Sequence, residues 1–254
     1  MNDDAITLYS YEFSPYAAKV RCFLGLKQLD YRTHYVNPLK ARAELPVGHQ
    51  VPVLKIGGEA RNDSTPIGLW LDERFPERAP LLPEAGPDRE LLLEFDRHVT
   101  SRFIPLSFRL LIAFGEPLGV RWRNRKLGAR AADRTTRGGY SLRGLHPVLV
   151  SRIGFIRRQI EATDPGRSNG GLLDDAAADI LVWLQGGAFM GGRDRPSLPD
   201  LSAFAVLSLP YLAGYTGADR IERHPALMDW FARVRAYLPS DAVVRRDLAE
   251  RSWP

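Results

Sequence analysis

Two helix starts in the first 64 residues carry side chains that could bind an anion or activate a thiol. Ser14 stands just before Pro15 and the stretch AAKVRCFLGLKQL, which predicts a helix to Leu29 with Ser14 as its N-cap. Asp63 and Ser64 stand in the same way before the helical stretch IGLWLDERF. A helix N-terminus presents free N–H groups and a partial positive charge, so each start can attract a carboxylate or a thiolate.

The strands predicted around these helix starts form a layer that would bring the starts together. One predicted strand, AITLY, precedes Ser14, and a second, DYRTHYVNP, follows the first helix. The segment VPVLKIGGEARN predicts a hairpin with its turn at GG, and Val51 and Pro52 stand at the start of its first strand. The order strand, helix, strand, hairpin, helix is typical of a small α/β domain. We therefore expect Ser14, Val51–Pro52 and Asp63–Ser64 to converge.

The remainder of the chain has helical rather than strand patterning. The stretch 76–90 contains four prolines and a glycine, which is typical of a linker. Beyond it, helical periodicity recurs to the end, and Ser197 with Asp200 has the spacing of a capping box at the start of a buried helix. We predict an α/β domain over residues 1–80, a linker over 81–88 and an all-helical domain over 89–254.

Composition excludes several classes of protein. The 254 residues are 44% hydrophobic and 26% charged, as in ordinary globular chains, and no apolar run approaches the roughly 20 residues that span a bilayer. The start, MNDDAITLYS, lacks the pattern of a secretory signal, so we expect a cytoplasmic protein without a transmembrane segment. The single cysteine, Cys22, excludes an internal disulfide and is expected to be a buried core thiol. The five histidines have no metal-ligand spacing, and no metal site is predicted.

A basic stretch over residues 121–143 accounts for part of the net charge of +5. We favour a solvated loop or a frayed helix end, and the alternative is a patch for anions or a membrane surface. No zinc-finger spacing, RNA-binding aromatic signature or Walker loop accompanies it, which argues against specific nucleic-acid recognition.

Taken in order along the chain, the motifs resemble those of the glutathione S-transferase family. QVPVL matches the family's landmark cis-proline after a Val, and NDSTPI matches its acidic or amide residue followed by Ser at a helix start. FMGGRDRPSLPDLSAFAVLS resembles the family's buried capping-box helix, and HPALMDWFARVRAYL its terminal helix. Within the family the likeness is greatest to the prostaglandin E synthase 2 type, through KVRCFLGLKQLDYRTHYVNP and VPVLKIGGEARNDST. The resemblance implies a thioredoxin-like domain docked on a helical bundle, and a homodimer.

The resemblance also implies a glutathione site. The backbone of Val51, before a cis Pro52, would pair with the cysteinyl part of glutathione. Ser64 would hold the γ-glutamyl carboxylate and Asp63 the γ-glutamyl ammonium, in keeping with their charges. Gln50 would reach the glycyl carboxylate, with Lys40, Arg42 and His49 as further candidates. An apolar electrophile would lie against the helical domain, with Phe108 as a candidate contact.

The quartet Ser14-Pro15-Tyr16-Ala17 stands where the synthase type and the glutaredoxin-like relatives carry Cys-Pro-Tyr-Cys or similar. Both thiols are missing, which excludes a mixed disulfide through this site. The Ser14 hydroxyl can instead donate a hydrogen bond to the sulfur of glutathione and favour its thiolate. Tyr16 is a second candidate catalytic hydroxyl, and it is better placed than Tyr9 or Tyr11.

These features favour an enzyme that uses glutathione as cofactor and activates its thiolate. The thiolate would attack a small hydrophobic electrophile, or support its isomerisation or reduction. An alternative is a non-catalytic protein of the same fold that binds glutathione, haem or a hydrophobic ligand. A third reading is an interaction protein whose basic stretch meets acidic membranes or RNA. The second substrate does not follow from the sequence.

Overall fold

The computed structural model describes residues 5–38, 40–131 and 143–253. A four-stranded sheet and its helices occupy the first third of the chain, and the described remainder is helical. In chain order the elements are β1 Ile6–Ser10, α1 Pro15–Leu26, β2 Arg32–Tyr35, α2 Ala41–Glu44, β3 Val53–Ile56, β4 Glu59–Asn62, α3 Ser64–Arg74, α4 Pro87–His98, a π-helical turn Val99–Phe103, α5 Ile104–Ile112, α6 Leu118–Ala129, α7 His146–Leu149, a 3₁₀ turn Val150–Arg152, α8 Gly154–Glu161, α9 Asn169–Trp183, α10 Leu198–Leu212, a 3₁₀ helix Ala218–Arg223 and α11 Pro225–Arg235.

The sheet has the strand order β2-β1-β3-β4. β1 runs parallel to β2 and antiparallel to β3, with Leu8 opposite both Thr33 and Leu54, and β3 and β4 form the predicted hairpin. Alternate residues of β1 are buried, because successive side chains of a strand point to opposite faces. This is a thioredoxin-like domain with a mixed sheet, and the predicted fold class is confirmed.

Helix α1 is buried over most of its length and packs against α10. Val20, Phe23, Leu24 and Leu26, which the sequence places on the core face, are all buried. The helix ends earlier than its apolar pattern predicts, at Leu26 rather than three residues later, because Gln28 has a left-handed φ of 52° and cannot continue it.

Helix α10 forms the centre of the helical domain, and every one of its residues is buried. The predicted capping box at its start is present: the Ser197 side chain accepts from the Asp200 backbone N–H, and the Asp200 side chain accepts from the Ser197 backbone N–H. The stretch VLVSRIGFIRRQIEA, residues 148–162, shares the helical periodicity of the second half, but it does not form one helix. It breaks at Ile153, whose φ of −64° and ψ of 116° are extended, and α8 begins at Gly154, a residue of low helix propensity.

The first part of the basic stretch is an ordered helix, rather than a loop or a frayed end. Residues 121–129 belong to α6, and the side chain of Asn124 anchors this helix from a fully buried position. Asn124 donates to the Leu110 carbonyl at 2.7 Å and accepts from the Thr216 N–H at 3.0 Å. Residues 132–142 of the stretch lie outside the described residues. No helix of the described residues is long and apolar enough to cross a bilayer.

Candidate functional site

A cavity of about 860 Å³ lies between the thioredoxin-like domain and the helical domain. The first domain contributes mostly polar groups to its lining, and the second contributes mostly apolar ones. Ser14, Tyr16, Gln50, Val51, Pro52 and Asp63 line it on one side. Thr100, Phe108, Leu111, Val150, Phe155 and Ile156 line it on the other. Clefts between domains are common sites for small molecules.

Ser14 reaches this cavity as the N-cap of α1. Its backbone is extended, with φ −83° and ψ 118°, and its Oγ accepts a hydrogen bond from the Ala17 N–H at 3.3 Å. Because the cap uses only a lone pair of the oxygen, the hydroxyl hydrogen stays available to donate to a ligand. Capping the helix and contacting a thiolate are therefore compatible.

The start of α3 supplies a second polar group to the same cavity. Asp63 has a left-handed φ of 70° and makes no capping hydrogen bond with its side chain. Non-glycine residues with such a backbone are uncommon and cluster at functional sites. Ser64 follows it but is not itself among the lining residues. Its side chain is buried, and its hydroxyl has no hydrogen-bond partner among the described residues.

The segment before β3 completes the polar side. The Val51–Pro52 peptide bond is cis, as predicted, and both residues line the cavity together with Gln50 and His49. Lys40 is the N-cap of α2 and Arg42 lies within that helix, and neither lines the cavity. Of the candidates named for a glycyl carboxylate, only Gln50 and His49 are brought to the site.

The three candidate tyrosines differ in their positions. Tyr16 lines the cavity, and burial together with the nearby Asp63 carboxylate raises the pKa of its hydroxyl, an effect that a hydrogen bond with Gln159 partly offsets. Tyr11 also lines the cavity, and burial raises its pKa as well. Both hydroxyls therefore remain protonated donors at neutral pH. Tyr9 is not a lining residue, and its ring packs 4.9 Å from that of His34.

The apolar side of the cavity is built from helices α5 to α8. Phe108 is buried, and its ring meets that of Phe155 edge to face with the centroids 5.6 Å apart. The ring of Tyr16 lies 6.2 Å from Phe155 in turn, so an aromatic wall joins the two domains. This surface suits a hydrophobic group, in the region where the sequence predicted one.

The lining residues that the sequence analysis missed include two with buried polar atoms, Tyr215 and His146. Tyr215 follows α10, is fully buried, and its hydroxyl has no partner among the described residues. His146 begins α7, its Nδ1 is likewise buried without a partner, and burial lowers its pKa. Neither lies in a motif, so only the packing of the helical domain reveals them.

The protein's own thiol does not contribute to this site. Cys22 is completely buried in α1, as predicted, and burial raises its pKa to about 12. The described residues also contain no group of three or more His, Cys, Asp or Glu side chains that could hold a metal ion. A thiolate at this cavity must therefore come from a bound molecule.

Comparison with known proteins agrees with this architecture. Residues 8–79 match the family model of the glutathione S-transferase N-terminal domain. The chain is 42% identical over 88 residues to glutathione S-transferase Z1 of Arabidopsis thaliana, covering 32% of this chain and 39% of that protein. It is 30% identical over 147 residues to the probable maleylacetoacetate isomerase 2 of Drosophila melanogaster, covering 52% and 64%. Each match thus spans less than two thirds of the relative's length.

Solved structures share the fold over nearly the whole chain. Apo human glutathione-S-transferase T1-1 superposes with a TM-score of 0.62 at 20% identity, over 94% of this chain and 86% of that one. A maleylacetoacetate isomerase from Anaeromyxobacter dehalogenans, with dicarboxyethyl glutathione bound in its active site, gives 0.56 at 23% identity, over 98% and 96%. The first domain therefore matches the glutathione S-transferase N-terminal domain, and the chain shares the two-domain fold of these solved structures.

Proposed function

We propose that this protein is a glutathione transferase, which activates the thiolate of bound glutathione for attack on a hydrophobic electrophile, or for its isomerisation or reduction. One observation carries the proposal: the helix start at Ser14, the Val51–Pro52 segment and Asp63 line the same cavity as Phe108. A polar half that suits a tripeptide therefore adjoins an apolar half that suits a second substrate. The names of the relatives, which include glutathione transferases and a probable isomerase, support the same reading.

In this proposal each charged end of glutathione meets a complementary group. The γ-glutamyl carboxylate binds at the start of α3, where the buried Ser64 hydroxyl has no partner in the described parts of the chain and the helix N-terminus favours an anion. The Asp63 carboxylate, free of any capping bond, binds the γ-glutamyl ammonium. The Val51 backbone, before Pro52, binds the cysteinyl part, and Gln50, assisted by His49, binds the glycyl carboxylate.

Ser14 is the proposed activating group. Its hydroxyl donates to the sulfur of glutathione, and the positive end of the α1 dipole adds to this effect. Both interactions favour the charged thiolate and so lower the pKa of the bound thiol. Tyr16, a protonated hydroxyl in the same cavity, is a second donor to the sulfur or to the electrophile.

Three finer points belong to the same proposal. The likeness that we propose to the prostaglandin E synthase 2 type is one of architecture and excludes dithiol chemistry, because Ser14 and Ala17 replace the cysteines. Glutathione serves as a consumed substrate in conjugation and as a regenerated cofactor in isomerisation. We further propose a cytoplasmic homodimer, as is usual in the family.

The test is titration calorimetry with glutathione and S-hexylglutathione, followed by turnover of 1-chloro-2,4-dinitrobenzene. We expect both ligands to bind, and S-hexylglutathione to bind about tenfold more tightly or better, because its alkyl chain enters the apolar half. Failure of both to bind would refute the glutathione site. Binding without turnover of any compound in a broad electrophile panel would instead establish the non-catalytic alternative.

A further inference from the structure

On the mostly apolar side of the cavity, two buried polar atoms have no hydrogen-bond partner among the described residues. They are the hydroxyl of Tyr215, whose side chain is 0% exposed, and Nδ1 of His146. Both residues line the cavity. Most buried polar atoms in folded proteins are hydrogen-bonded, since an unpaired one loses its bonds to water without replacement. Two such atoms in one cavity wall indicate a place for a polar ligand atom.

Gly128 of α6 shows that the two side chains flank one point of the wall. A Cβ on Gly128 would lie 3.3 Å from the Tyr215 hydroxyl oxygen and 3.3 Å from Cε1 of His146. The same Cβ would lie 2.6 Å from Cδ1 of Leu111, so any larger residue would displace the Leu111 side chain. The hydroxyl and the imidazole therefore form a small polar patch beside an apolar surface.

The backbone that carries Tyr215 is held by hydrogen bonds on both sides of this residue. The Tyr215 N–H donates to the Pro210 carbonyl at 3.0 Å. The next residue, Thr216, donates its N–H to Asn124 at 3.0 Å, and Arg123 donates to the Gly214 carbonyl at 3.0 Å. A buried side chain on a backbone fixed in this way loses little entropy when a ligand binds to it.

The patch is uncharged at neutral pH. Burial raises the pKa of the Tyr215 phenol, so it stays protonated and can donate a hydrogen bond. Burial also lowers the pKa of His146, and a hydrogen bond to the Arg125 backbone only partly offsets this. An uncharged donor suits a neutral carbonyl oxygen better than a carboxylate, because a buried carboxylate needs a charged partner.

We propose that Tyr215 determines the specificity of the second-substrate half, and that this half takes neutral, hydrophobic electrophiles whose carbonyl oxygen accepts a hydrogen bond from Tyr215 Oη. The inference rests on the proposed glutathione transferase function and names the substrate class of the same cavity. Conjugated enones are the simplest members of this class. His146 lies beside the bound oxygen.

The chemistry with an enone balances without any further reagent. The thiolate sulfur forms a bond to the β-carbon, and the electron pair of the C=C bond moves so that negative charge develops on the carbonyl oxygen. The hydrogen bond from Tyr215 strengthens as this charge develops, which lowers the barrier. Water then supplies a proton to the α-carbon, and Tyr215 keeps its own proton throughout.

The first experiment measures equilibrium binding and needs no turnover. The dissociation constants of 4-phenyl-2-butanone and of butylbenzene, which lacks the oxygen, are measured for the wild type and for Tyr215→Phe. We expect the ratio of the two constants to shift about five- to tenfold against the ketone in the variant, the effect of one lost hydrogen bond. The same ratio in both proteins would overturn the role of Tyr215.

The second experiment compares kcat/KM for trans-4-phenyl-3-buten-2-one with kcat/KM for benzyl chloride. We expect Tyr215→Phe to lower this ratio at least tenfold, whereas Tyr237→Phe, at an exposed tyrosine outside the cavity, leaves it unchanged. An equal fall for both electrophiles would show a structural role only and contradict the proposal. Absence of turnover in the wild type would count against the transferase function, and the binding ratio would still decide the role of Tyr215.

Discussion

At the scale of single residues, Ser14 combines two functions of one hydroxyl group. Its oxygen caps α1 by accepting from the Ala17 N–H, and its hydrogen is left for the cavity. A cysteine there would supply a nucleophile of its own. A serine instead supplies a donor, so the reactive sulfur must be that of the ligand.

We predict that Ser14→Ala weakens thiol activation and, to a lesser degree, folding. Loss of the donor should raise the pKa of bound glutathione by about one unit and lower kcat/KM near pH 6.5 about tenfold. Loss of the cap should reduce the free energy of unfolding by about 1 kcal/mol. The thiolate absorbance as a function of pH gives the first quantity, and urea unfolding gives the last.

Ser168→Ala is the matched control for this variant. Ser168 caps α9 in the same manner, accepting from the Gly171 N–H at 3.0 Å, but it does not line the cavity. It should therefore lose similar stability with no change in rate or in thiol pKa. An unchanged thiol pKa in Ser14→Ala would assign activation to another group, with Tyr16 as the next to test.

Cys22 provides a second prediction at this scale. Because it is fully buried with a pKa of about 12, we expect native protein to resist iodoacetamide at pH 8 and to be labelled in full once unfolded in urea. Labelling followed by mass spectrometry measures this. Rapid labelling of the native protein, at the rate of a free thiol, would show that α1 is accessible and that the core packing described here is wrong.

The sequence could predict some site residues and not others for a physical reason. A helix start and a proline at the beginning of a strand are signals in the local sequence. Ser14, Pro52 and Asp63 could therefore be recognised from the residues next to them in the chain. Tyr215 and His146 reach the cavity only because α6 packs between the segments that carry them. Such placement depends on distant residues, and nothing in the flanking sequence indicates it.

At the scale of elements, the start of α10 shows which contacts a local sequence motif predicts and which it does not. The i, i+3 spacing of Ser197 and Asp200 predicts the capping box. It does not predict that the Asp200 carboxylate also accepts from the Met190 N–H and from the Trp230 indole, each at 3.0 Å. One carboxylate thereby joins the start of α10 to the preceding loop and to α11.

We predict that Asp200→Ala destabilises the protein by about 3 kcal/mol or more, because it leaves several buried N–H donors without an acceptor. Urea unfolding followed by circular dichroism measures the change. Asp175→Ala, which removes the same side chain from an exposed ion pair with Arg167, should change stability by about 0.5 kcal/mol or less. Similar losses in the two variants would mean that the extra contacts of Asp200 contribute nothing.

At the scale of the whole molecule, a buried polar network crosses the interface between the domains. Lys19 of α1 pairs with Asp96 of α4 at 2.9 Å, and both side chains are excluded from solvent. Lys19 also donates to Thr100, which lines the cavity, and Thr65 of α3 donates to Asp96. The sequence could not reveal this network, because Lys19 lies in an apolar stretch and its partner is far along the chain.

We expect removal of either charge of the Lys19–Asp96 pair to destabilise the protein strongly, because the remaining charge is left unpaired. Lys19→Met or Asp96→Leu should each reduce the free energy of unfolding by about 3–5 kcal/mol, because each strands a buried charge. The double variant should recover most of that loss, since two apolar side chains of similar volume can pack in the same space. Urea unfolding of the four proteins gives the coupling energy between the two sites.

The exposed pair Arg167–Asp175, at 2.6 Å, is the control, and the same cycle with alanines should give a coupling of about 1 kcal/mol or less. Glutathione affinity adds an independent readout, because Thr100 lines the cavity and Thr65 lies in the first turn of α3, beside Ser64. Single variants that retain a folded structure should therefore bind glutathione more weakly, and the double variant should not fully restore that affinity. If the buried cycle gave a coupling as small as the exposed one, apolar packing of α1 against α10 would suffice to dock the domains, and the ion pair would have no structural role at the interface.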